Sequence, residues 1–165
     1  MAESHPIEDS SEAADLERAK ACCFRLLAYR ARSEAELGQR LRARGFAASV
    51  IEQTLARLRE LGMVDDAEFA EAWVEGRLAQ RPMGPAALRS ELRRKGVPGD
   101  VAARAIETRL GEEAQFDLAL ALARKRLTGV QTSDPKLLVR IRRLLVQRGF
   151  SSDIIQNVMA RIRSD

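Results

Sequence analysis

Residues 37–58 read LGQRLRARGFAASVIEQTLARL, and the pattern returns at 88–110 as LRSELRRKGVPGDVAARAIETRL and at 141–162 as IRRLLVQRGFSSDIIQNVMARI. Aligned on the glycine that follows a basic residue, the pairs Arg44-Gly45, Lys95-Gly96 and Arg148-Gly149 stand 51 and 53 residues apart. Self-similarity at a nearly fixed period means one structural unit used three times, and such units stack into an elongated array that presents surface. Within the first copy Leu37 and Leu41 are one helical turn apart, and Gly45 supplies the positive φ of a helix stop. Phe46 follows as a plug, and Val50, Ile51, Leu55 and Leu58 form the apolar face of the next helix.

Working outward, each copy gains a preceding helix, so the chain is predicted all-α, with three tandem three-helix repeats of helix-turn-helix type. In the first repeat Leu16, Ala19, Cys23, Leu26 and Leu27 mark one helical face, and Ser33 with Glu36 makes a capping box for the second helix. Ser49 is read as the cap of the third. In the second repeat Asp65 or Asp66 opens a helix carrying Phe69, Ala70, Trp73 and Val74. Pro82-Met83-Gly84-Pro85 breaks it, and Pro85 suits the first position of the next helix. Leu88 and Leu92 match Leu37 and Leu41, and Asp100 is the expected cap before Val101, Ala105 and Ile106. The third repeat begins near Glu113 with Phe116, Leu120 and Ala123, breaks at 129–134 and resumes at Pro135. Its expected cap is Asp153, ahead of Ile154, Ile155, Val158, Met159 and Ile162. Nine helices result, divided into an acidic, disordered tail over 1–17 and repeats over 18–62, 63–111 and 112–165.

Composition narrows the function classes. A compact globule of 165 residues buries roughly 70% of its unfolded surface, and an array buries less, so 45% apolar residues suffice for several small cores. No stretch is apolar over the roughly 18 residues of a membrane span, and the first residues are polar and acidic, unlike a secretory signal. A cytoplasmic location and a monomer are expected. Cys22 and Cys23 are the only cysteines, and neighbours on a helix diverge by about 100°. They are read as small apolar residues and not as a disulfide or a zinc site. His5, the lone histidine, lies in the tail, so histidine-based triads and multi-histidine metal centres lack their members. No cofactor or metal is expected.

Charge is distributed unevenly. Six of the 24 acids (Glu3, Glu8, Asp9, Glu12, Asp15, Glu17) precede Arg18, and all 28 Lys and Arg follow, leaving +10 on residues 18–165. A basic body suggests an anionic partner, either nucleic acid or an acidic protein surface. The cations concentrate in the second helix of each repeat: Arg40, Arg42 and Arg44; Arg89, Arg93, Arg94 and Lys95; Arg140, Arg142, Arg143 and Arg148. Stacked repeats would align them as a discontinuous basic row for a protein partner or DNA phosphate. The competing reading is that they solvate exposed faces and complement helix C-termini, above all Arg44, Lys95 and Arg148. A helix, a glycine turn and a second helix also suggest a helix-turn-helix DNA-binding regulator. The third helices, however, expose mixed residues such as Glu52, Gln53 and Arg57 in place of a dense base-reading set. Aromatic residues make up 4%, which disfavours stacked bases, and no Walker-type phosphate loop is present.

The most distinctive segment, 61–77, reads LGMVDDAEFAEAWVEGR. Asp65 and Asp66 could suggest a metal or acid–base pair, but Asp65 with Glu68 makes a capping box and both acids suit a helix N-terminus. Trp73 is read as packing. The pattern Asp65-Asp66-x-x-Phe69-Ala70-x-x-Trp73-x-x-x-Arg77, then Gly84 and Leu88-x-x-x-Leu92-x-x-Lys95-Gly96-Val97, resembles the central block of the RecX family, bacterial modulators of the recombinase RecA. Ser33-Glu34-Ala35-Glu36-Leu37 and Arg44-Gly45-Phe46 are similar to the family's first block, and Arg148-Gly149-Phe150 fits its third. The resemblance covers the chain from about Ala19. It implies tandem three-helix repeats, binding along the groove of the RecA–DNA filament, and inhibition of ATP hydrolysis, strand exchange and coprotease function. It implies no enzymatic chemistry of the chain's own.

Overall fold

A computed structural model describes residues 6–127 and 134–164. Nine α-helices occur among them: α1 Pro6–Tyr29, α2 Glu34–Arg42, α3 Ala48–Glu60, α4 Asp66–Gln80, α5 Pro85–Arg94, α6 Gly99–Arg109, α7 Glu112–Leu127, α8 Pro135–Gln147 and α9 Ser152–Ser164. The fold is all-α and the three-helix repeats are as the sequence reads. His5 and the break at 129–133 lie outside the described residues.

The chain divides into two compact units, one running to Phe69 with Lys95–Val97 added, the other comprising Ala70–Arg94 and the residues from Pro98 onward. In the first, Ala19, Cys22, Cys23, Leu37, Leu41, Val50, Ile51, Leu55 and Leu58 form the core, with Leu16, Leu26, Leu27 and Phe46 packed against it. Burial pushes the Cys23 thiol up to about 11, helped by Cys22 and opposed by Arg44, so it stays protonated. Cys22 and Cys23 are free and buried. In the second unit Val74, Leu88, Leu92 and Ile106 are buried, while Leu120, Ile141, Leu145, Phe150, Ile154, Val158 and Ile162 belong to the core of α7 to α9.

Gly45, Gly96 and Gly149 all take positive φ, at 82°, 75° and 82°. At the first, the Gly45 N–H donates to Arg42 and the Phe46 N–H to Leu41; at the last, Gly149 donates to Val146 and Phe150 to Leu145. These are paired reverse bonds of a Schellman stop, which consume carbonyls the helix leaves orphaned. Gly62, at φ 64°, closes α3 in the same way, with its own N–H on Arg59 and that of Met63 on Leu58.

Three caps differ from expectation. Helix α3 begins at Ala48 with Ala47 at the N-cap, and α6 begins at Gly99 with Pro98 there, neither giving a side-chain cap. In α9 the Ser151 hydroxyl accepts from the Ile154 N–H. Ser49, Asp100 and Asp153 therefore sit in the first turn, two residues inside the expected position. The Schellman turn sets this start, because the chain has already reversed at the glycine and the plug residue leads straight into the helix. Asp100 and Asp153 still complement the N-terminal dipole from inside that turn.

Over residues 6–17 the expected tail is instead helical, as the first part of α1. Alanine and glutamate favour helix here, Arg18 pairs with Asp15 at 2.7 Å and Lys20 with Glu17 at 2.8 Å, and Gln53 donates to Glu12 at 3.1 Å.

Ser33 caps α2 in a full capping box with Glu36. Asp65 accepts from the Ala67 and Glu68 N–H groups at the start of α4, while Asp66 reaches the other way and accepts from the Glu34 N–H that opens α2, at 2.8 Å. Each aspartate thus satisfies a different helix N-terminus.

Glu36 is a second fixed point of the first unit. Burial pushes its carboxyl up, but hydrogen bonds and charge from Arg30 and Lys95 outweigh this and hold it at about 2. Arg30 grips it with two nitrogens at 3.0 and 3.1 Å, and Lys95 Nζ lies at 2.9 Å. Since the folded value lies below the ordinary 4.5, the stabilisation is fully present above about pH 4.5 and is lost as pH falls toward 2. The expected difference in unfolding free energy between the wild type and Glu36→Gln is on the order of 1–2 kcal/mol after solvent screening. Denaturant titrations at pH 6, 4 and 2 should show that difference shrinking stepwise, and a pH-independent gap would refute the assignment.

Candidate functional site

The second helices are short and amphipathic. In α2, Leu37 and Leu41 turn inward while Arg40 and Arg42 occupy the last turn. In α5, Leu88 and Leu92 turn inward with Arg93 and Arg94 at the end. Helix α8 buries Ile141 and Leu145, and its cations Arg140, Arg142 and Arg143 lie mid-helix, with none in the last turn. Arg40, Arg42, Arg93, Arg94, Arg140, Arg142 and Arg143 are all exposed, and none has an ion pair among the described residues.

The three cations directly before the turn glycines behave differently. Arg44 directs Nη1 to the Cys22 thiol. Lys95 pairs with Glu36, and its carbonyl accepts from the Ser33 hydroxyl. Arg148 donates to the Pro82 carbonyl at 3.3 Å, and its own carbonyl accepts from the Gly84 N–H at 2.7 Å. Within the first unit Lys95 meets the N-terminal turn of α2, whereas Arg44 follows its C-terminus, about 12 Å along the helix. The structure therefore does not bring Lys95 together with Arg40, Arg42 and Arg44. In the second unit Arg94 and Arg148 do line one groove, with Arg81, around Glu91.

Sequence reasoning passed over Glu91. It is 6% exposed, and its carboxylate accepts from Trp73 Nε1 at 3.0 Å, Arg77 Nε at 2.6 Å and Arg81 Nη2 at 3.4 Å. Arg77 also lies over the Trp73 ring, 4.7 Å from its centroid. An acid one turn after Leu88 and next to Leu92, on the side that goes inward, was the available signal. In α3 Arg57 pairs with Glu60 and Gln53 with Glu12, and in α6 Arg104 pairs with Asp100 and Arg109 with Glu71. Among the described residues no three His, Cys, Asp or Glu side chains gather into a potential metal site, and no helix is long and apolar enough to cross a membrane.

Three family models match the chain in order. They are the first three-helix domain of RecX over residues 19–58, the second over 65–106 and the third over 112–159. The regulatory protein RecX of Amycolatopsis mediterranei (strain U-32) is 40% identical over 143 residues, spanning 86% of this chain and 81% of that one. That of Mycobacterium sp. (strain JLS) is 39% identical over 162 residues, spanning 95% and 87%. The crystal structure of RecX from Lactobacillus salivarius shares the fold at a TM-score of 0.85 and 22% identity, over 93% of this chain and 99% of that one.

Proposed function

The chain belongs to the RecX family of regulatory proteins, and from that premise we propose that it binds the RecA–DNA filament and inhibits RecA's ATPase, strand-exchange and coprotease activities. The observation that carries this reading is the ordered match of all three domains. Three linked modules bind a repeating target with high effective concentration when their spacing fits it, so a filament of identical subunits is the natural partner for such a chain. The protein acts by binding, as a cytoplasmic monomer without chemistry, cofactor or metal of its own. The exposed arginines of α2, α5 and α8 meet acids of the filament or DNA phosphate. Lys95 and Arg148 serve chiefly to hold the turns.

Purified protein is expected to slow RecA's DNA-dependent ATP hydrolysis while hydrolysing no nucleotide and cutting no DNA alone. The folded triple variant Arg42→Gln, Arg93→Gln, Arg142→Gln keeps helix propensity and the residues before each turn. If these arginines touch single-stranded DNA phosphate, each removed contact lowers the magnitude of the log–log salt slope by about 0.7. If they touch RecA acids, filament affinity falls while affinity for naked DNA barely moves. Unchanged filament affinity with unchanged salt dependence would leave the arginines as solvated surface. A defined footprint on duplex DNA without RecA would favour a helix-turn-helix regulator.

A further inference from the structure

Helix α8 carries a second stripe, on the side opposite its buried one. Val139 and Val146 are 60% and 59% exposed, and they stand two helical turns apart, on one face. Arg142 and Arg143 fall between them at the i+3 and i+4 positions, also exposed and without ion pairs among the described residues. The sequence PKLLVRIRRLLVQ contains four cations and no carboxylate, and among the nine described helices α8 alone lacks an acid.

Local structure gives no reason for these valines. Valine is a poor helix former compared with Gln, Lys or Arg, and at these positions its methyl groups face water. Solubility alone would place Lys or Gln there, as it does at Lys136 and Gln147. Phosphate gives no reason either, because a polyanion rewards cations and gains nothing from methyl groups. Arginine framed by apolar side chains is instead the composition of a protein interface, where guanidinium groups pair bidentately with carboxylates while neighbouring apolar groups are covered.

We propose that this Val139–Arg142–Arg143–Val146 face docks onto an acidic surface of a protein partner, the carboxylates meeting the two arginines and apolar side chains covering the valines. The assignment rests on the filament reading above and specifies it: α8 contacts a RecA subunit, not DNA.

The test uses the full chain with Val139→Gln and Val146→Gln, and RecA assembled on a dT oligomer as the probe. Glutamine has the higher helix propensity, so circular dichroism and thermal unfolding should stay as in wild type or improve. Affinity for the RecA filament should fall about tenfold, while affinity for the free dT oligomer and its salt slope stay unchanged. The milder pair Val139→Ala and Val146→Ala should give an intermediate loss. Full filament affinity in a folded double Gln variant, or an equal loss on the free oligomer, overturns the docking face. Failure of the wild type to bind RecA filaments at all overturns the regulatory reading and the partner named with it.

Discussion

Gly149→Val is expected to be far more damaging than a change at Gly45, costing more than about 3 kcal/mol, because two independent penalties meet at Gly149. The first is conformational: at φ 82° a β-branched residue clashes with its own backbone. The second is spatial, since a Cβ at 149 would lie 2.5 Å from the Ala87 nitrogen and 2.8 Å from the Ala87 Cβ. Both atoms belong to the first turn of α5, and the Ala86 N–H there donates to the Gly149 carbonyl at 3.1 Å, so the neighbour is held in place. Two companions separate the penalties. Gly45 has a similar φ of 82° with nothing within 4 Å of a Cβ, so Gly45→Ala should cost only about 1 kcal/mol. Gly84→Ala carries no positive-φ strain, yet its Cβ would lie 2.3 Å from the Gly149 oxygen, which isolates the collision. In thermal unfolding Gly45→Ala should lower the midpoint by about 2–4 °C, with Gly84→Ala lower and Gly149→Val lowest. A wild-type midpoint for Gly84→Ala would show that the collision costs nothing and that positive φ governs these positions.

The contrast among the glycines shows what the sequence could and could not reveal. A helix stop is a local event, so Gly45, Gly96 and Gly149 were legible from the leucine stripe before them and the plug after them. That Gly96 would also meet the Ala35 Cβ, and Gly149 the α5 backbone, depends on approaches between segments remote in sequence, which no local pattern encodes. The same holds for charge. Sequence gives the positions of the cations but not their partners. Lys95 pairs with an acid 59 residues away and Arg148 with a carbonyl 66 residues away. Lys95 and Arg148 thus bond within the fold, whereas Arg42 and Arg142 face water. The N-caps were misplaced for a different reason, because Ser and Asp suit the N-cap and the first turn alike and only the turn geometry decides between them. In α1, acids in excess suggested a solvated tail, whereas their spacing against Arg18 and Lys20 gives i,i+3 pairs. The valines of α8 were readable in principle as residues off the buried stripe, but their exposure had to be seen.

The second large effect is expected at Glu91. Glu91→Ala removes an acceptor of the Trp73 indole N–H and the carboxylate that holds the Arg77 and Arg81 guanidinium groups. Breaking a fully buried ion pair costs about 3–5 kcal/mol, but the two arginine side chains keep 30% and 53% of their exposure and regain water, so about 2–3 kcal/mol is expected. Glu91→Gln retains the shape and an acceptor oxygen for the indole while losing the charge, and should cost about half as much. Trp73 is the chain's only tryptophan, so its emission reports on this cluster directly. In Glu91→Ala the emission should shift to the red and become more accessible to iodide, and unfolding followed by that emission should begin at lower denaturant than in wild type. The exposed arginines Arg40 and Arg42 lie in the other compact unit and share no partner with Glu91, so combining Glu91→Ala with Arg42→Gln should give additive stability changes. A wild-type emission spectrum and an unchanged midpoint in Glu91→Ala would mean that Trp73 and Arg77 hold the α4–α5 contact by ring stacking and apolar burial alone, with the carboxylate contributing nothing measurable.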